Sequence, residues 1–228
     1  MTEHNPATNK LTEIAFILDQ SGSMESIKQG TIEGFNAFLS QQQEENDKYP
    51  ALFSLTLFNA GINEVITSEP VAKVSTLDSH NYRPSGGTAL LDAIGLTIDS
   101  LGKRLAETPE PDRPAKVIVA IMTDGEENSS RQFTWTQVSD KIKHQSEVYK
   151  WEFLFMGANQ DAIATASRIS IDRDSGVNYF QQDGSARKVL RAMSASVQYS
   201  KRAPRPQWSK PSLQEIMAEE EAKDQSKQ

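Results

Sequence analysis

Two short, almost unbroken apolar runs constrain this chain more than any other feature. Residues 14–18 and 117–122 are continuously apolar, and each run stops abruptly at a polar loop containing an aspartate, Asp19 or Asp124. A strand that is apolar on both sides must be covered on both sides, which is the habit of parallel sheets flanked by helices. The segments between carry the helical period instead. Ile27, Ile32, Phe35, Phe38 and Leu39 recur along residues 26–43, and Leu90, Leu91, Ile94, Ile98, Leu101 and Leu105 share one side of residues 89–105. Further helices are predicted at 135–149, 161–169 and 185–200, and strands at 11–18, 52–58, 64–67, 116–122, 151–156 and 177–180. The Asn-Ala-Gly between the second and third strands reads as a hairpin, placing an antiparallel strand at one edge. The predicted fold is therefore α/β: a Rossmann-like, doubly wound, mostly parallel six-stranded sheet with one antiparallel edge strand and helices on both faces.

At 228 residues, one domain with appendages is the prior. We expect an N-terminal extension at 1–11, a folded domain at 12–200 and a polar tail at 201–228 that is flexible or ordered only by a partner. The tail holds Glu219, Glu220 and Glu221 and few apolar residues, and a helix at 213–223 would be marginal on its own. Acidic residues outnumber basic ones by 31 to 24, for a net charge of −7. Attraction to phosphate backbones is then unavailable, so no nucleic-acid partner is expected. The absence of cysteine removes disulfides, thiol nucleophiles and Cys-ligated zinc. Residues 1–10 lack the apolar stretch of a secretory signal, and 117–122 is too short to span a bilayer. No membrane association and a cytoplasmic location are the expectations.

Three loops carry the chemistry. Asp19-Gln20-Ser21-Gly22-Ser23 follows the first strand, Ser85-Gly86-Gly87-Thr88 precedes the 89–105 helix, and Thr123-Asp124-Gly125-Glu126-Glu127-Asn128 follows the 116–122 strand. In a doubly wound sheet, ligands bind beyond the carboxyl ends of the strands where strand order reverses. There Asp19 and Asp124 would meet Ser21, Ser23 and Thr88. Such an all-oxygen set, with neither His nor Cys, suits a hard divalent cation.

These three motifs, in this order, resemble the von Willebrand factor type A domain over about residues 12–200, and all five positions of its metal-ion-dependent adhesion site are matched. The Thr-Asp-Gly-Glu-Glu-Asn stretch and the later Met-Gly-Ala-Asn-Gln-Asp-Ala at 156–162 look like small intracellular members from bacteria and bacteriophages. The resemblance implies that Ser21, Ser23 and Thr88 coordinate Mg²⁺ or Mn²⁺ (Ca²⁺ being the weaker candidate), with Asp19 and Asp124 holding it mostly through water. It also implies a coordination position left for a Glu or Asp of a partner protein. Intracellular relatives often serve as adaptors, some beside AAA+ ATPases.

Each residue also has a plainer role. Ser21 and Ser23 stand where helix caps stand, Asp19 and Asp124 can satisfy loop amides, and Thr88 can cap the helix after it. Asp92, four residues beyond Thr88, is either an acceptor that steadies the site or an ordinary exposed helical aspartate. Glu126 and Glu127 read as solvated loop residues. His4, His80 and His144 have no ligand spacing and read as surface residues, Asn159 and Asp161 as caps of the following helix, and Trp135, Tyr149 and Trp151 as packing.

Taken together, the sequence points to a non-enzymatic, metal-dependent protein-binding module. The alternative is a metal-dependent hydrolase or phosphotransfer enzyme using Asp19 and Asp124. Against it, the position two after Asp19 is Ser21 rather than a second carboxylate, and no Walker-type loop is present.

Overall fold

The computed structural model describes residues 11–158, 162–179, 185–202 and 211–225. In chain order the elements are β1 (Thr12–Asp19), α1 (Lys28–Glu44), β2 (Ala51–Phe58), β3 (Ile62–Pro70), α2 (Leu90–Glu107), β4 (Lys116–Thr123), α3 (Trp135–Tyr149), β5 (Glu152–Ala158), α4 (Ala162–Arg168), β6 (Gly176–Tyr179), α5 (Ser185–Arg202) and α6 (Leu213–Gln225). The sheet runs β3-β2-β1-β4-β5-β6. Every pairing is parallel except that of β2 with β3, so the antiparallel edge strand lies where the hairpin places it.

All eight residues of β1 are buried, and all of β4 but Lys116. Their alternate side chains feed two cores. Ile14, Phe16 and Leu18 face α1, α5 and α6, whereas Ala15 and Ile17 face α2, α3 and α4. Phe16 is the hub of the first core, with the rings of Phe35 and Phe38 edge-on to it at 5.5 and 5.3 Å. Helices α1 and α5 pack closely because Gly34 has no side chain; a Cβ there would sit 2.7 Å from Leu190 Cδ1 and 3.0 Å from Arg187 Cα.

Strand β3 extends over nine residues, well beyond the predicted 64–67. Its alternation is weak because it is an edge strand with exposed residues on both faces. The helix expected from residue 26 begins as a 3₁₀ turn, Gly22–Ile27, and becomes α-helical only at Lys28. Residues 213–225, marginal as an isolated helix, form α6, whose Leu213 and Ile216 are buried in the first core. Tertiary burial supplies what helix propensity lacks. Among the described residues, no helix is long and apolar enough to cross a membrane. The expected extension at 1–11, apart from Leu11, and the caps Asn159 and Asp161 lie outside the described residues.

Candidate metal centre

Strand order reverses between β1 and β4, whose residues Leu18 and Met122 are register partners. The loops leaving their carboxyl ends therefore start side by side, as the switch-point rule requires. Asp19 is the last residue of β1 and is fully buried. Its Oδ1 accepts the Ser21 backbone N–H at 2.6 Å and its Oδ2 accepts the Thr123 hydroxyl at 2.5 Å. The Ser21 and Ser23 hydroxyls lie 3.0 Å apart, and Ser23 Oγ donates to Asp124 Oδ1 at 2.7 Å. Ser23 is exposed while Ser21, Thr88 and Asp124 are buried, so the cluster opens to solvent on the Ser23 side.

Thr88 joins from the third loop. Its N–H donates to Asn128 Oδ1, and its carbonyl accepts the N–H groups of Asn128 and Ser129. Its hydroxyl makes no hydrogen bond among the described residues. The place of that hydroxyl is marked by Gly125, where a Cβ would lie 2.7 Å from Thr88 Oγ1 and 3.3 Å from Ser23 Oγ. The first and second loops are pinned by Gly22 N–H to Gly86 O at 3.0 Å and Ser85 N–H to Gln20 O at 2.9 Å. Gly86 adopts φ +76°, a left-handed conformation that glycine takes without strain.

The five candidate residues thus converge, and the plainer roles sort out. Ser21 occupies an N-cap position but makes no side-chain cap bond; its hydroxyl faces Ser23. Thr88 is not the cap of α2, whose N-cap is Ala89. Asp19 does satisfy a loop amide, with one of its two oxygens. Burial pushes its carboxyl up to about 6; hydrogen bonds from Thr123 and Ser21 offset part of that rise, and the neighbouring charge of Asp124 adds to it.

Asp92 is not exposed. Its carboxylate accepts the backbone N–H groups of Arg131, Gln132 and Phe133 at 2.8–2.9 Å, holding the loop that carries Asn128. Glu127 is likewise no solvated residue. It accepts the N–H groups of Leu91, Ser129 and Ser130 and the Ser130 hydroxyl, tying the third loop to the start of α2. Glu126 is exposed, as are His80 and His144. Trp151 packs against Phe153, whereas Tyr149 is 58% exposed, with its ring edge-on to that of His144 at 5.6 Å.

Sequence reasoning passed over two buried tyrosines. Tyr82 donates its hydroxyl to the Asp19 carbonyl at 2.6 Å, and Tyr179 donates to the Thr123 carbonyl at 3.3 Å. Each anchors the end of a strand that bears a carboxylate. Neither has a motif around it; Tyr82 sits in an irregular stretch, where no period marks burial.

Among the described residues there is no group of three or more His, Cys, Asp or Glu able to hold a metal. A cation here would depend on hydroxyls together with two carboxylates. The donor set fits that chemistry. It is all oxygen, it gathers two acids in a buried crevice, and it includes a threonine hydroxyl that has no partner among the described residues, beside a glycine that keeps the space clear. Gly125→Val is expected to reduce Mg²⁺ affinity at least tenfold, by displacing Thr88 Oγ1, while leaving the far-ultraviolet circular dichroism unchanged. Calorimetric titration checks it.

No protein-family model matches the chain, and no curated protein matches its sequence. Solved structures do match. The von Willebrand factor domain of the type V pilus tip protein Mfa5 from Porphyromonas gingivalis gives a TM-score of 0.59 at 8% identity, covering 86% of this chain and 97% of that one. The pilus adhesin SpaC from Lactobacillus rhamnosus GG gives 0.62 at 14% identity, covering 83% of this chain and 31% of that one. A von Willebrand factor type A protein from Catenulispora acidiphila gives 0.51 at 16% identity, covering 81% and 42%. This chain spans less than half the length of the last two. At such identities the likeness is one of fold: the chain has the von Willebrand factor type A fold, with five parallel strands and one antiparallel strand.

Proposed function

We propose that this protein is a metal-dependent protein-interaction module rather than an enzyme, and that it recognises an acidic side chain of its partner through a divalent cation. Ser21, Ser23 and Thr88 would hold Mg²⁺ or Mn²⁺ with their hydroxyls, and Asp19 and Asp124 would hold it chiefly through water. When bound, the cation supplies an electrophilic point that a Glu or Asp from outside can complete. One observation carries this reading: hydroxyls and carboxylates from three distant loops meet in a solvent-facing crevice, with the Thr88 hydroxyl, unpartnered among the described residues, beside Gly125. The fold is shared with proteins described as pilus adhesins, which supports protein partners in general. A cytoplasmic adaptor of the small bacterial or phage kind, working beside an AAA+ ATPase or another assembly, is the finer form of the proposal.

The chain's own residues prepare the crevice. Asp92 accepts backbone N–H groups just beyond the third loop, Glu127 ties that loop to α2 by accepting the Leu91 N–H, and Tyr82 and Thr123 hold Asp19. Among the described residues, those shown to meet in the crevice are two aspartates and three hydroxyl side chains, a set suited to holding a cation.

Mg²⁺ or Mn²⁺ is expected to raise the melting temperature of the wild type, because a ligand bound only by the native state stabilises it. Thr88→Ala should reduce that increment and the cation-dependent recovery of partner proteins, while leaving the metal-free melting temperature within about 2 °C, as for most substitutions that remove no internal hydrogen bond. Equal increments in both proteins, or recovery indifferent to EDTA, would refute the reading.

A further inference from the structure

We infer that the cavity beside the ion site is a second subsite for the same partner segment, in which Arg168 receives the carboxylate of a second acidic side chain. This rests on the proposed function and deepens it. The cavity, of about 260 Å³, shares Thr123 and Gly125 with the ion site and is walled by Trp135, Phe155, Thr165 and Arg168. Its volume falls a little below the range usual for a free small-molecule ligand.

Arg168 ends α4 and is exposed; its guanidinium carbon lies 3.9 Å from the centre of the Trp135 ring at the start of α3. Stacking fixes the plane of the guanidinium and leaves its N–H edge free, which suits two-point capture of a carboxylate. Arg168 makes no ion pair among the described residues. Glu127, which lines the same cavity, spends its carboxylate on three backbone N–H groups and the Ser130 hydroxyl. Glu126, exposed on the rim, is a charge that opposes an incoming acid. Thr165, half-buried, brings a further hydroxyl.

The apolar wall of Phe155, Ala158 and Leu90 argues for glutamate over aspartate, since its methylenes would replace water there. A protein of net charge −7 repels acidic partners in general. Two local points of attraction at fixed separation would therefore select partners that carry two acids in the matching register.

The test uses the full chain with Mg²⁺ and capped synthetic peptides. Each peptide carries one aspartate followed, after one to three glycines, by glutamate, glutamine or phenylalanine; affinities are read by titration calorimetry. At one spacing the glutamate peptide should bind roughly fivefold more tightly than the glutamine peptide, the yield of a solvent-exposed carboxylate–guanidinium pair. Arg168→Gln should erase that ratio without weakening the glutamine peptide, and Glu126→Gln should widen it. A ratio that survives Arg168→Gln, no ratio at any spacing, phenylalanine matching glutamate, or no saturable binding up to millimolar peptide would each overturn the subsite. EDTA separates the two levels. If it leaves the glutamine peptide's binding unchanged, the ion reading fails whatever Arg168 does; if it abolishes that binding while the Arg168 ratio is absent, only the subsite fails.

Discussion

With divalent cations chelated, the wild-type protein is expected to lose stability as the pH rises through 4 to 6, and Asp19→Asn to lose clearly less, its remaining decline coming from Glu13 of β1, a second carboxyl that burial pushes up. The Asp19 carboxyl sits at about 6 in the folded chain, against 3.8 as a free side chain. The native state therefore holds this proton more tightly than the unfolded chain does. Stability falls wherever the native state binds the extra proton, which is the interval between those two values. Two pH units correspond to roughly 3 kcal/mol at most, or roughly 6–12 °C in melting temperature for a chain of this size. Asparagine keeps the shape and one acceptor oxygen but has nothing to ionise. Added Mg²⁺ should restore the loss in the wild type above pH 6, because a cation offsets the paired charges of Asp19 and Asp124, and should do little below pH 4. Melting curves across this range, with and without Mg²⁺, check both arms. An equal decline in Asp19→Asn would show that another group is responsible.

Asp92→Ala is expected to cost about 3 kcal/mol and to weaken cation binding severalfold, although Asp92 is not among the five candidate ligands. Three backbone N–H groups, those of Arg131, Gln132 and Phe133, would lose a charged acceptor, and each charge-assisted bond contributes about 1.5–3 kcal/mol before water replaces part of it. The loop they belong to also carries Asn128, whose side chain and N–H hold Thr88. Loosening it would therefore let the Thr88 hydroxyl drift. Denaturant unfolding gives the stability, and amide exchange over residues 128–133 gives the local effect. Asp92→Asn should fall between, since Oδ1 alone serves two of the three donors. A loss below about 1 kcal/mol would show that solvent satisfies these amides as well as the carboxylate does.

The order and type of the elements were legible because burial on both faces leaves its mark on composition. The runs at 14–18 and 117–122 could be covered strands and little else, and the leucine and isoleucine spacing in α2 could hardly be anything but a helix with one buried side. Edge strand β3 and helix α6 were harder. The first is exposed on both faces and so lacks a period, and the second is held mainly by Leu213 and Ile216 meeting a core built from distant residues.

The candidate ligands were legible too, because a tight polar loop at a strand's carboxyl end restricts which short side chains can turn inward. Their supports were not. Asp92 looks like any aspartate on a helix and Glu127 like any loop glutamate, yet Asp92 is spent on backbone amides 39–41 residues away in the chain, and Glu127 reaches that of Leu91, 36 residues away, besides its near neighbours Ser129 and Ser130. Tyr82 and the Trp135–Arg168 stack likewise join segments that share no local pattern. Periodicity and turn chemistry are local properties, so the residues alone could specify strands, helices and the small oxygen donors after them. Which distant amide each carboxylate accepts, and that Gly125 stands beside the Thr88 hydroxyl, follow from the crossing of chain segments at the sheet's switch point, where proximity in space has no counterpart in sequence.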